Sequence, residues 1–307
     1  MIGSFERRRA DVSGGELAYL DLGEGPAVVL LHGHPTSSQL WRREAWLLSQ
    51  RMRAIAPDLL GYGDSAKPQN ADLSASAQAG YVRELLRHLD VREAAVVGHG
   101  MGGVIAMLLA LDAADLDVKA LVLLDTPIGL PTGGTPTLDH SWSASAAKRA
   151  VREFLEAGVA HEDRLAPEDV EAFHRPWVDE PGALLRAARA AGSNGSTLTG
   201  RERDIAAVDV PVLLIWGEDD PIVPVEAGEQ LNELLHGSTL ALLPGCSHLV
   251  NEDAPQTVPP LIFEYLRSRY LGDSHGHAAP PAGPIPIFLE RPPEDFGDAL
   301  PDQDQED

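Results

Sequence analysis

The sequence predicts an α/β fold built on a mostly parallel, doubly wound sheet of eight strands. Three observations predict it. Short apolar runs alternate with segments of helical periodicity through residues 1–271, as when helices cover both faces of a parallel sheet. Ser13-Gly14-Gly15 separates the first two runs, which reads as a hairpin turn ahead of the parallel part. Between Asp125 and about Asp204 the alternation stops and only helical patterns remain, so a helical insertion follows one of the strands.

The strands are read, in order, at Phe5–Val12, Leu17–Leu22, Ala27–Leu31, Arg53–Ala56, Ala94–Val97, Ala120–Leu124, Val212–Trp216 and Thr239–Leu243. The later ones are short apolar runs of the kind buried on both faces. Tyr81, Val82, Leu85, Leu86 and Leu89 recur at helical spacing between two of them. The insertion carries helical patterns at Ser143–Ala157, Pro167–His174 and Gly182–Ala191. The chain therefore divides into a core (1–125 and 205–271), an inserted helical lid (126–204) and a tail (272–307). In open α/β sheets ligands bind outside the carboxyl ends of the strands, where such an insertion would cover the site.

Charge narrows the partners. The 307 residues hold 24 Lys and Arg against 47 Asp and Glu, a net charge of −23. That excess repels phosphate backbones and anionic membrane surfaces, so neither nucleic acid nor membrane is an expected partner. The tail 272–307 has nine acids and the single base Arg291, is rich in proline and lacks periodicity, so it reads as disordered. Its one apolar interruption, Ile285-Pro286-Ile287-Phe288-Leu289, is either a docking motif or a spacer. A single cysteine, Cys246, excludes a disulfide framework and a thiolate-rich metal site. No signal peptide and no apolar run of membrane-spanning length is visible, which suits a soluble cytoplasmic protein. No metal-ligand spacing is present and no cofactor is expected; oligomeric state is not readable.

Five segments, each at the end of a predicted strand, carry a family resemblance. They are His32-Gly33-His34-Pro35, Asp58-Leu59-Leu60-Gly61-Tyr62-Gly63-Asp64-Ser65, Gly98-His99-Gly100-Met101-Gly102-Gly103, Gly217-Glu218-Asp219-Asp220 and Gly245-Cys246-Ser247-His248. In this order, over nearly all of residues 4–271, the chain resembles the α/β-hydrolase fold. It is most similar to the branch of epoxide hydrolases and of haloalkane and haloacid dehalogenases. The resemblance implies catalysis at Asp220 and His248, with Asp219 the competing acid. It also implies an oxyanion hole from the backbone N–H groups of His34 and Met101. A carboxylate on one imidazole nitrogen fixes the tautomer and leaves the other nitrogen free as a base.

One residue departs from the pattern. The fold's nucleophile stands at the centre of G-x-Nu-x-G, on a strained turn from strand to helix. Here that residue is Gly100, where esterases carry Ser and epoxide hydrolases or dehalogenases Asp. Glycine forms no covalent intermediate. It does relieve backbone strain of about 1–3 kcal/mol. Natural loss of the nucleophile and deliberate replacement both fit.

Candidate pocket residues are His99 beside the elbow and Trp142, Phe173, His174 and Trp177 in the insertion, each of which could instead pack the insertion on the core. The insertion has no tyrosine, which disfavours the oxirane opening the resemblance would imply. Cys246, Ser247, Ser37, Ser38 and Ser65 are checked as replacement nucleophiles, but none sits on an elbow and each reads as structural. Asp125 is an alternative acid or a turn residue. Three functions stay open: non-covalent general-base catalysis by His248 and Asp220 on a small organic substrate, an inactive binding or regulatory homologue, and an ester or epoxide hydrolase lacking its nucleophile.

Overall fold

The computed structural model describes residues 6–112, 115–128, 143–161, 164–194 and 198–272. Its eight strands are β1 (Arg8–Val12), β2 (Gly15–Leu22), β3 (Ala27–Leu31), β4 (Arg53–Pro57), β5 (Glu93–His99), β6 (Asp117–Leu124), β7 (Val212–Gly217) and β8 (Thr239–Leu243). They form one sheet in the order β1-β2-β4-β3-β5-β6-β7-β8. β1 pairs antiparallel with β2 and β2 antiparallel with β4, and every later pairing is parallel. The helices are α1 (Arg42–Leu48), α2 (Ala75–His88), α3 (Met101–Asp112), α4 (Ala144–Gly158), α5 (Pro167–His174), α6 (Pro181–Asn194), α7 (Glu202–Ala206), α8 (Val225–Leu234), α9 (Val250–Asp253) and α10 (Val258–Arg269).

The eight expected strands are all present, with shifted ends. Gly15 belongs to β2 and pairs with Val12, so the turn is Ser13-Gly14 and not the three residues expected. β1 begins at Arg8, three residues later than expected, and Phe5 lies outside the described residues. Trp142 also lies outside them, and of the tail 272–307 only Gly272 is described.

Burial follows the pattern. Every residue of β3 and of β7 is buried, as strands covered on both faces must be. α2 starts at Ser74, whose side chain accepts from the Ala77 N–H, and turns Val82, Leu85 and Leu86 into the core. α3 runs against the middle of the sheet, with Met101 through Leu109 all buried.

Chain direction places the site. From β3 the chain crosses to β4 on one side; from β5 it proceeds to β6, β7 and β8 on the other. The reversal lies between β3 and β5, and at such a switch point the two C-terminal loops part to leave a crevice. Close backbone contact sets its floor. A Cβ on Gly98 would collide with the Gly102 carbonyl, and one on Gly102 would collide with the Leu31 carbonyl at the end of β3. Only glycine permits α3 to sit so near both strands.

Helices α4, α5 and α6 lie between β6 and β7 in the chain, in the stretch expected as an insertion. Charge ties them down. Arg42 of α1 makes two hydrogen bonds to Glu252 of α9, at 2.6 and 2.8 Å, and an ion pair of 3.1 Å to Asp169 of α5. Leu249 N–H donates to the Gly158 carbonyl at the end of α4, at 2.6 Å.

Gly102→Ala tests the contact between α3 and β3. Alanine gains about 1 kcal/mol over glycine in a helix. The collision is with backbone, which cannot rotate away, and overpacking costs about 1–3 kcal/mol. Urea unfolding is expected to show a lower midpoint with an unchanged slope.

Candidate active site

Four loops converge at the crevice. The loop after β3 carries His32-Gly33-His34-Pro35, with a cis bond between His34 and Pro35. His32 is locked as a neutral tautomer: its Nδ1–H donates to the Gly33 carbonyl at 2.9 Å and its Nε2 accepts from the Leu59 N–H at 3.0 Å. Burial lowers its pKa, which suits that arrangement. The loop lies against the turn after β5, since a Cβ on Gly33 would stand 3.5 Å from the Met101 nitrogen. Among the described residues neither the His34 nor the Met101 backbone N–H has an acceptor.

The turn from β5 into α3 has Gly100 at φ +54°, in the left-handed region. The Gly100 N–H donates to the Leu124 carbonyl, and the Gly100 carbonyl accepts from the Gly103 N–H. A Cβ built there points at the His248 ring: its nearest neighbours outside the turn are His248 Nε2 at 3.6 Å and Cε1 at 3.8 Å, then Gly33 Cα at 3.9 Å. A side chain at residue 100 would thus meet His248 without a clash.

The loops after β7 and β8 bring in the acid and the imidazole. Asp220 Oδ2 lies 2.8 Å from His248 Nδ1. Its other oxygen, Oδ1, accepts from the Ile222 and Val223 N–H groups at 2.7 and 2.9 Å. With Oδ1 taken up by two donors, Oδ2 is placed to accept from His248 Nδ1–H. His248 Nε2 then presents its lone pair, and among the described residues it has no hydrogen-bond partner. Of the two adjacent carboxylates it is therefore Asp220, buried, that meets the histidine, while Asp219 is exposed.

His99 supports this pair from below. Its Nε2 hydrogen bonds to the His248 carbonyl at 2.8 Å, and the two rings lie 4.7 Å apart. The ring is fully buried, and burial, with His248 beside it, pushes its pKa down to about 3. His99 was expected to line the pocket; the ring is instead fully buried and its hydrogen bond goes to the backbone of His248. Asp125, at φ +43°, accepts from the Gly217 N–H at 3.0 Å. Its Oδ2 is 3.9 Å from His99 Nε2. Burial, and then the Asp220 carboxylate, push the Asp125 carboxyl well above the usual carboxylate range. It is a turn residue behind the site, and His248 bonds to Asp220.

The hydroxyls and the thiol near the site have other partners. Ser65 Oγ donates to the Asp58 carbonyl, Ser38 Oγ accepts from Arg7, Ser37 caps the turn at Gln39 and Ser247 Oγ donates to the Ala157 carbonyl. Burial raises the Cys246 thiol to about 11, so it is no thiolate.

The helices over the crevice and the loop after β4 add residues that sequence reasoning missed. Phe154 of α4 stands edge-on to both His34 and His248, with centroids 6.2 and 6.0 Å away. Tyr62 is fully buried; its hydroxyl lies 3.4 Å from His34 Nδ1 and 3.4 Å from the Ala187 carbonyl of α6. A cleft of about 500 Å³ opens between α4 and α6, with His34 at its floor and Ala150, Val151, Phe154, Leu184 and Ala188 among its walls. Burial holds the His34 imidazole neutral, its pKa down at about 3. Phe173 and Trp177, expected as lining residues, are buried in the hydrophobic core, Trp177 edge-on to Tyr62 at 5.7 Å. Neither they nor His174 line this cleft. His174 is buried beside Glu171. Phe154 falls within the helical pattern read at Ser143–Ala157, but only the packing shows what it faces.

Comparison with known proteins gives a consistent picture. A model of the alpha/beta hydrolase fold matches residues 26–255. The chain is 30% identical to haloalkane dehalogenase 2 of Mycobacterium tuberculosis over 283 residues, covering 85% of this chain and 94% of that protein. Among solved structures, an alpha/beta hydrolase fold protein from Burkholderia ambifaria superposes with a TM-score of 0.70 at 30% identity, over 84% of this chain and 97% of that one. The meta-cleavage product hydrolase of Pseudomonas fluorescens IP01 does so with a TM-score of 0.72 at 22% identity, over 85% and 97%, a likeness of fold alone.

The neutral histidines make the site acid-sensitive. His99 titrates near 6.5 in the unfolded chain and near 3 in the fold. Between those values the unfolded state binds more protons, so stability is whole above pH 6.5 and drains away as pH falls toward 3. His99→Gln is expected to flatten this loss, seen as a smaller drop in the urea midpoint on acidification; an equal drop would place the acid sensitivity elsewhere.

Proposed function

The chain belongs to the alpha/beta hydrolase fold family, and on that premise we propose that it is a hydrolase of small organic esters whose His248–Asp220 pair activates water directly. One observation carries the reading: His248 Nε2, with no partner among the described residues, faces the side-chain direction of Gly100. Glycine cannot attack, so a covalent enzyme intermediate has no donor at that point. A general base with a correctly held tautomer can instead draw the proton from water.

The remaining parts fit carbonyl chemistry. The His34 and Met101 N–H groups are free to receive the oxygen that becomes negative when water adds to an ester carbonyl. His248 takes the proton at Nε2 and returns it to the departing alkoxide. Asp220 stabilises the imidazolium while both its oxygens stay in hydrogen bonds. Ala150, Val151, Phe154, Leu184 and Ala188 give the cleft over His34 an apolar side that suits an uncharged acyl chain, with Arg149 and Glu153 also in its lining. Halide chemistry, which the name of the mycobacterial relative suggests, and oxirane chemistry, which the resemblance implies, would by the covalent route need a carboxylate where Gly100 stands. The helices between β6 and β7 act as a lid in this reading, with Phe154 at the inner end of the cleft.

A second reading keeps the frame and drops the native turnover. The clear path from residue 100 to His248 equally fits an ester or epoxide hydrolase that lacks its nucleophile. A panel of p-nitrophenyl esters, epoxides and haloacids separates the two. The protein as it stands is expected to hydrolyse esters, His248→Ala to fall to the background rate, and Asp220→Asn to lose about 10²–10⁴-fold in kcat through the wrong tautomer. Turnover unchanged in His248→Ala would overturn the general-base reading. Turnover seen only in Gly100→Ser or Gly100→Asp would favour the second. A ligand that raises Tm without any turnover would mark a binding protein.

A further inference from the structure

The loop that carries His248 is stitched to the end of α4. Ser247 Oγ donates to the Ala157 carbonyl at 3.3 Å, and the Leu249 N–H donates to the Gly158 carbonyl at 2.6 Å. The helix end also lies against His248 itself, since a Cβ on Gly158 would stand 4.0 Å from His248 Cβ. One turn earlier in the same helix, Phe154 stands edge-on to the His248 ring and lines the cleft. Where α4 lies and where the base stands are therefore linked.

Two further N–H groups, of Ser247 and Ala160, point at one side chain. Both are donors, so they need an acceptor between them. Asp253 supplies it. Its Oδ2 accepts from the Ser247 N–H at 2.7 Å, and the Ala160 N–H lies between Oδ1 and Oδ2, at 2.9 and 3.0 Å. The residue is 2% exposed. Burial pushes its pKa up, and the two N–H groups pull it back. The neighbouring carboxylate, Glu252, faces Arg42 and Arg43 instead.

We propose that Asp253 is a positioning residue for the reaction: its carboxylate, shared by the loop of the base and the end of α4, sets where His248 stands relative to the cleft. The inference rests on the general-base reading above. Asp253 differs in its work from Asp220, which bonds to the His248 ring. Asp253 acts on main chain, one residue before His248 and two residues after α4.

Its two oxygens are not equivalent. Oδ2 serves both segments, whereas Oδ1 serves Ala160 alone. An amide with its oxygen in place of Oδ2 keeps an acceptor for Ser247 but turns an NH2 group toward the Ala160 N–H. Asp253→Asn thus holds the base side and loosens the α4 side. Asp253→Ala releases both N–H groups.

Steady-state kinetics and proton NMR on the intact chain test the proposal. Hydrolysis of p-nitrophenyl acetate gives kcat and KM. The Nδ1–H resonance of His248, assigned by its absence in His248→Ala, reports the contact with Asp220. Asp253→Ala is expected to lower kcat about 10–100-fold, as follows from a misplaced catalytic group, and to shift or broaden that resonance. Asp253→Asn is expected to keep the resonance and most of kcat while KM rises severalfold. Glu252→Gln, which alters the adjacent buried carboxylate, is expected to lower the urea midpoint and to leave kcat and the resonance as they are. Native kcat and a native resonance in Asp253→Ala would overturn the inference. So would a native KM in Asp253→Asn, or a Glu252→Gln variant that loses as much kcat as Asp253→Ala. Where the melting profile shows Asp253→Ala unfolded, the KM of Asp253→Asn decides. If the unaltered chain hydrolyses no ester, the general-base reading falls, and the resonance alone decides whether Asp253 positions His248.

Discussion

Everything at this site depends on backbone packing against backbone where β3 and β5 end. Gly98 lies under Gly102, and Gly102 lies against the Leu31 carbonyl, with no room for a methyl group at either residue. This contact brings the His34 and Met101 N–H groups to the same crevice. It also sets the direction in which residue 100 faces. Side chains could be exchanged around it with local effects; the glycines at 98 and 102 could not, because the obstacle is main chain.

His248 is held by the same economy of contacts. Asp220 grips Nδ1 at 2.8 Å, and His99 reaches the main-chain carbonyl of the same residue at 2.8 Å. One contact orients the ring and the other places the residue that carries it. Burial keeps His99 neutral, with its pKa near 3, and two backbone N–H groups hold Oδ1 of Asp220 in place. Asp125, the second buried acid nearby, is pushed toward its protonated form, so the pocket does not carry two opposing carboxylate charges.

The fold was legible in the sequence because burial on both faces leaves a plain mark. Val28-Val29-Leu30-Leu31 and Val212-Leu213-Leu214-Ile215 are apolar runs that no half-exposed strand would need. Strand ends were less legible: Gly15 reads as a turn residue, yet its pairing with Val12 decides where β2 starts. At the site, the family resemblance carried by the motifs singled out Asp220 and His248, which the structure brings to 2.8 Å. Tyr62 and Phe154 were missed as neighbours of His34 because their roles depend on how α4 and α6 lie across the crevice, a long-range arrangement with no local pattern. His99 stood next to the elbow in sequence, but its hydrogen bond to the carbonyl of His248, 149 residues away, leaves no local pattern.

The cluster around Arg42 has a consequence for the order in which the molecule is made. Arg42 and Glu252 are 210 residues apart, and His99 reaches a carbonyl 149 residues away. Loop closure over such spans is entropically costly and is completed late. During synthesis from the N-terminus, the β3 and β5 loops and all three covering helices emerge before the segment that carries His248. The crevice is therefore assembled around its last component, and Arg42, waiting near the start of the chain, is the clasp that closes when α9 arrives.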